Sequence, residues 1–144
     1  LKSKKLAQDT IHLVCHPGLA KQIDTAQSVC RHPTLTEKSS DIMPAWNSFY
    51  QQHRINPDVG RNALHVDDSS VTIIEAALAG QGIAMVRNSL IFEQLEKEQL
   101  VKLFNFSFKC HYEYYLVAPE AHFKRKKIQC FSNWLEGMFS EIPQ

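Results

Sequence analysis

The segment that most constrains the fold is residues 63–86. It opens with a short strand-like run, Ala63-Leu64-His65-Val66, and continues through the polar junction Asp67-Asp68-Ser69-Ser70. Val71, Ile74, Ala77 and Leu78 then recur at helical spacing. The small residues Ala76, Ala77 and Ala79 allow such a helix to lie close on a sheet. Gly80 stands where a helix C-terminus favours a positive φ, and Gly82 leads into the apolar run Ile83-Ala84-Met85-Val86. A run of that kind suits a buried parallel strand. A strand–helix–strand unit this compact buries its apolar surface only within a sheet that carries helices on its faces, so the chain is expected to be α/β.

The flanking segments extend the alternation. Residues 10–15 alternate as a strand that Pro17-Gly18 stops, and 19–30 are weakly helical. Thr34-Leu35-Thr36 is extended, and 37–41 is polar and loop-like. Ala45, Trp46, Phe49 and Tyr50 form one helical face, with Pro44 in the first turn and Asp41 just ahead of it. Asn88-Ser89 can cap a further helix carrying Leu90, Phe92 and Leu95. Residues 112–118 are rich in strand-forming aromatic and β-branched residues and end at Pro119. From Lys124, the spacing of Ile128, Phe131, Leu135 and Met138 predicts an amphipathic helix. Alternating elements imply a largely parallel sheet.

Length and composition exclude several classes. The 144 residues suffice for one domain or two small lobes. With 44% hydrophobic and 22% charged residues, the chain is neither disordered nor fibrous by composition. A net charge of +1 does not suit a dedicated nucleic-acid module. Nothing reads as a membrane span or a signal peptide. Cys15, Cys30, Cys110 and Cys130 lack C-x-x-C spacing, and the histidines near them lack zinc-ligand spacing. Reduced thiols, no metal and a cytoplasmic setting are expected. Cys110 and His111 would face opposite sides of a strand, which argues against a thiol–imidazole pair. No catalytic motif is legible, and neither an enzymatic activity nor a cofactor is expected.

Two polar junctions remain as binding candidates. Ligands of open α/β sheets bind beyond the carboxyl ends of strands, where helix N-termini offer free N–H groups. Asp67 to Ser70 form one such junction, and Ser39-Ser40-Asp41 ahead of the Trp46 helix form the other. Ordinary helix capping accounts for the same residues, so both readings stay open. Trp46 and Phe49 read as core. Lys124-Arg125-Lys126-Lys127 reads as a solvated face, with nucleic-acid contact as the alternative.

Residues 65–87, HVDDSSVTIIEAALAGQGIAMVR, resemble the effector-binding domain of LysR-type transcriptional regulators, in particular the branch of glycine-cleavage-activator-like regulators. CHPGLA at 15–20, RHPTL at 31–35, the spaced Trp46 and Phe49, LEKEQLVKLFNF at 95–106, YYLVAPE at 114–120 and FSNWL at 131–135 follow the family's order. The resemblance implies a two-lobe fold like that of periplasmic binding proteins, with the second lobe nearly complete and the first partial. On that reading, 1–16 are a hinge strand and a remnant of the first lobe, and 17–111 are the second lobe. Residues 112–144 are the returning hinge strand and terminal helix.

The resemblance further implies that a winged helix-turn-helix, a linker helix and the start of the first lobe lie outside this sequence. DNA would be contacted only through that absent part. An effector would sit between the lobes, touched by Asp68, Ser69, Ser70 and Val71 at one junction and by Ser40, Asp41 and Ile42 at the other. It would be a small polar metabolite, such as an amino acid or another carboxylate. Association into homo-oligomers is implied, and an oligomerisation module without a ligand of its own is the alternative function.

Overall fold

The computed structural model describes residues 1–58, 62–65 and 69–144. Among these residues, five strands form one sheet: β1 (Lys2–Cys15), β2 (Pro33–Thr36), β3 (Asn62–His65), β4 (Ile83–Arg87) and β5 (Val101–Ala118). Its order is β3-β2-β4-β1-β5. Five α-helices accompany it: α1 (Pro17–Ala20), α2 (Ile42–Gln52), α3 (Ser70–Leu78), α4 (Asn88–Glu96) and α5 (Lys126–Ser140). Two 3₁₀ segments, Ala26–Arg31 and Glu120–Lys124, complete the order. The stretch 19–30, expected as a weak helix, is therefore a single α turn followed by a 3₁₀ segment.

The sheet is mixed, which corrects the expectation of a largely parallel one. β2 runs parallel to β3 and β4, whereas β1 is antiparallel to both β4 and β5. The strand–helix–strand units generate the parallel half, and the two long strands close the other. β4 is buried on both faces, as its unbroken apolar run requires. Ile83 and Met85 join one core with Trp46, Phe49, Leu13 and Phe106, while Ala84 and Val86 join a second with Ile73, Ala77 and Ile91. Thus α2 covers one face, and α3 and α4 the other.

Both long strands exceed the lengths expected from sequence. Lys2 to Asp9 carry no clear alternation, and they are strand because they pair with the outer half of β5, from Lys2 opposite Ala118 to Gln8 opposite Glu113. The inner half of β5 buries Leu103, Phe106 and Cys110, a spacing of three and four that does not read as a strand. The cause is a bulge: His12 pairs with Ser107 but Val14 with Lys102, and Phe104 and Asn105 have φ of 55° and 50°. One residue of β1 thus spans several of β5. Cys110 is buried and His111 exposed, on opposite faces as expected.

Helix α5 splits its apolar stripe. Ser132 is buried and Ile128 and Leu135 are partly buried, but Phe131, Trp134 and Met138 are 47%, 57% and 49% exposed. The core-facing stripe expected through Phe131 and Met138 is therefore rotated.

Two glycines are needed where they stand. Gly80 has φ of 74°, the left-handed conformation that ends α3. A Cβ on Gly82 would lie 2.5 Å from the Pro33 carbonyl oxygen, because β2 and β4 run side by side there. Gly82→Ala is expected to cost about 2 kcal/mol through this backbone overlap, read as a lower urea midpoint at unchanged slope. Burial pushes the thiols of Cys15 and Cys110 up to about 11, and Cys130 is exposed. Iodoacetamide at about pH 7.5 should alkylate Cys130 in the native protein and spare Cys15 and Cys110, as peptide mass spectrometry would show.

Candidate functional site

The parallel strands β2, β3 and β4 end on the same side of the sheet. Three helices begin there: α2 after β2, α3 after β3 and α4 directly after β4. Their first turns leave backbone N–H groups without intrahelical partners.

Each start is satisfied differently. At α3, Ser69 is extended, with φ of −144°, and its hydroxyl accepts the Thr72 N–H at 3.2 Å. The capping reading of this serine therefore holds. At α2, Asp41 occupies the cap position but makes no capping bond with its side chain; the Ser39 hydroxyl accepts the Ile42 N–H instead at 3.0 Å. At α4 the cap position falls to Arg87, whose side chain caps nothing. Asn88-Ser89, expected to supply the cap, are themselves the first helical residues. The cap comes from Asp9 of β1, whose Oδ1 accepts the N–H groups of Thr10 at 2.9 Å and Ser89 at 3.2 Å. Ser89 donates its hydroxyl to the other Asp9 oxygen. The Tyr114 hydroxyl of β5 stands 2.9 Å from Ser89 Oγ and donates to the same Asp9 oxygen at 3.4 Å.

A charged network joins the first two starts to β4. Glu37 follows β2 and is 6% exposed; Asp41 is 1% exposed. The Ser70 hydroxyl lies 3.1 Å from both Glu37 carboxylate oxygens. Arg87 Nη1 stands 3.8 Å from Glu37 Oε1, and Nη2 is 3.2 Å from Asp41 Oδ2. Asp41 Oδ1 accepts the His111 backbone N–H at 3.0 Å. Burial works against the Arg87 charge, but the Asp41 hydrogen bond and charge outweigh it and hold the guanidinium above its ordinary range. Two carboxylates thus share one guanidinium, with one serine and one backbone N–H in support. Beside Arg87 lies a concavity of about 240 Å³, lined by Asp9, Leu90, Tyr112, Glu113 and Tyr114.

The residues expected to bind an effector are spread across this edge. Ser70 joins the network, whereas Ser69 is occupied by capping. Val71 is 68% exposed on the first turn of α3. Asp41 is buried against Arg87, Ser40 is exposed, and the Ile42 side chain lies in the core. Asp68 lies outside the described residues. Sequence reading missed Glu37, Arg87, Asp9 and Tyr114. Arg87 was within reach, as a charged residue closing an otherwise apolar buried strand. Among the described residues, no group of three or more His, Cys, Asp or Glu could hold a metal ion.

A mixed sheet with its helix starts gathered at the carboxyl edge of the parallel strands, held by long antiparallel strands, is the architecture of periplasmic-binding-protein-like effector domains. The profile of the LysR substrate binding domain matches residues 1–140, and the chain belongs to that family. The HTH-type transcriptional activator AmpR of Citrobacter freundii is 28% identical over 125 residues, covering 87% of this chain and 42% of that protein. The glycine cleavage system transcriptional activator of Escherichia coli K12 is 27% identical over 141 residues, covering 94% and 44%. The chain therefore spans about two fifths of the length of these relatives, which are transcriptional regulators and not enzymes. The solved AmpR effector binding domain of Citrobacter freundii superposes with a TM-score of 0.74 at 26% identity, covering 97% of this chain and 68% of that one. The AmpR effector domain of Pseudomonas aeruginosa gives 0.73 at 21% identity, which bears on the fold alone. No helix among the described residues is long and apolar enough to cross a membrane.

Arg87→Gln would leave Asp41 buried without its countercharge. The substitution should cost about 3 kcal/mol of stability, the order seen when one partner of a buried pair is removed. Thermal unfolding of the variant measures this, and an unchanged midpoint would show that the pair is not what holds α2 to β4.

Proposed function

We propose that this chain is the effector-sensing part of a LysR-type transcriptional regulator. A small polar metabolite, such as an amino acid or another carboxylate, binds at the carboxyl edge of β2, β3 and β4. Its binding is relayed to DNA-binding domains outside this sequence. The supporting observation is the Glu37–Ser70–Arg87–Asp41 network at converging helix starts, next to a concavity of about 240 Å³. The family and its regulator relatives point the same way.

The chemistry suits a polar ligand. A ligand carboxylate would compete with Glu37 for the Ser70 hydroxyl and for Nη1 of Arg87, the weaker of that guanidinium's two contacts. An ammonium group would be drawn to Glu37 itself. Either exchange rewrites an existing bond, so the ligand selects between arrangements already accessible to the protein. Lobes at 1–16 with 112–144 and at 17–111 are part of this reading: Lys2 to Gln8 pair with the outer half of β5, while Ile11 to Val14 pair with β4, so β1 joins the two groups of strands. A cytoplasmic setting goes with it.

A second reading has its own observation. Phe131, Trp134 and Met138 on α5 and Tyr112, Tyr115 and Val117 on β5 are all exposed. Exposed apolar side chains of this kind favour association, so on this reading the chain forms homo-oligomers. Light scattering across a concentration series checks this, and a monomer at every concentration would count against it.

For the first reading, amino acids and small carboxylates are titrated calorimetrically into the full regulator. Ser70→Ala should weaken the effector at least tenfold while circular dichroism stays native. Equal affinity in wild type and variant would remove this edge as the site.

A further inference from the structure

The bulge in β5 builds a second cavity, and it shares no lining residue with the concavity beside Arg87. Between the pairs His12–Ser107 and Val14–Lys102 the strand swings away from β1, with Phe104 and Asn105 in the left-handed region. The space it encloses is about 300 Å³ and is lined by Thr10, His12, Lys102, Asn105, Ser107 and Gln144. Its chemistry is one-sided. Lys102 brings a positive charge, Asn105 and Gln144 bring amides, and Thr10 and Ser107 bring hydroxyls, that of Thr10 donating at 3.5 Å to Gln144 Oε1, a long bond that a ligand would displace. No carboxylate side chain lines it.

His12 is the independent second observation. It is 4% exposed, and its Nε2 is buried with no hydrogen-bond partner. Nδ1 stands 3.5 Å from the Phe106 carbonyl oxygen, which can only accept, so Nδ1 keeps its hydrogen. Asn88 of α4 faces the same ring, but its amide nitrogen donates to the Pro143 carbonyl at 2.7 Å. A buried polar atom left unanswered is costly, and native structures rarely keep one without a reason.

We propose that this cavity binds a small oxyanion, with Lys102 supplying the charge, Thr10, Ser107 and Asn105 supplying neutral donors, and the buried His12 ring in its wall responding to the anion's charge. The neutral ring with hydrogen on Nδ1 presents an unanswered lone pair at Nε2, and a proton there makes it the imidazolium. Burial, and then the Lys102 charge, hold the His12 imidazole below its ordinary range, against the hydrogen bonds to the Phe106 carbonyl and the Asn88 side chain and the pull of Asp9. The charged groups facing the ring are thus Lys102 on β5 and Asp9 on β1, while α4 presents the uncharged Asn88. An oxyanion beside Lys102 offsets its charge and draws a proton onto Nε2. Binding therefore takes up a proton, and affinity rises as pH falls through the histidine range.

The test titrates the 144-residue chain, amidated at Gln144 so that no terminal carboxylate stands at the cavity, with sodium sulfate, which does not itself titrate over this range, and follows backbone amide shifts by NMR. Acetate in parallel separates tetrahedral from planar oxyanions. The expected result is saturable shifts at Thr10, His12 and Ser107, with tighter binding at about pH 5.5 than at about pH 8. Lys102→Gln, at an exposed position, should weaken binding at least tenfold, and His12→Gln should flatten the pH dependence. Should His12→Gln unfold the protein, Thr10→Val replaces it and should weaken binding severalfold. Shifts that never saturate, or the same affinity in Lys102→Gln as in wild type, would overturn the proposal. Saturation by acetate but not sulfate would support the proposal and make the oxyanion a carboxylate.

Discussion

A carboxylate with almost no exposed surface has to be answered on every side, and Asp41 is such a group. Arg87 answers it from the end of β4, and the His111 backbone N–H answers it from β5. The start of α2, a central strand and a long outer strand therefore meet at one side chain. Desolvating a charge costs several kcal/mol, and only a complete set of partners recovers it. That condition places the α2 terminus, and through Arg87 it also places Glu37 and Ser70. The carboxyl edge of β2, β3 and β4 is organised outward from this pair.

Much of the fold was legible because its signals were local. The helical spacing from Val71 to Leu78, the glycines at 80 and 82 and the apolar β4 each declared an element, and all three elements stand where expected, but the buried face of the helix takes Ile73 with Ile74 and Ala77 and leaves Val71 exposed. What was not legible depends on contacts distant in sequence. Lys2 to Asp9 are a strand only because β5 lies beside them, and the inner half of β5 hides its strand character behind a bulge. The antiparallel pairing of β1 follows from chain direction, which hydrophobic periodicity does not encode.

The site divides along the same line. Ser69 and Ser70 stood out because serine ahead of a helix is a local signal, and the structure gives them different work, one in capping and one in the charged network. Glu37 looked like part of a solvated loop and is buried; only the approach of Arg87 and Ser70 makes that tolerable. Asp9 gave no sign at all. Its partners Ser89 and Tyr114 lie 80 and 105 residues further along the chain. Pair interactions of that range leave no trace in composition or spacing.

The remote cap on α4 constrains how this molecule can deform. Asp9 sits on β1, yet it holds the N-terminus of a helix that begins where β4 ends. Side chains alternate along a strand, so sliding β1 by one residue would carry the carboxylate to the other face of the sheet and strip the helix of its cap. The α4 terminus therefore acts as a pawl on the long strands. They are free to twist and to bend at the bulge, but they are locked against translation. Any signal they carry has to travel as a change of curvature.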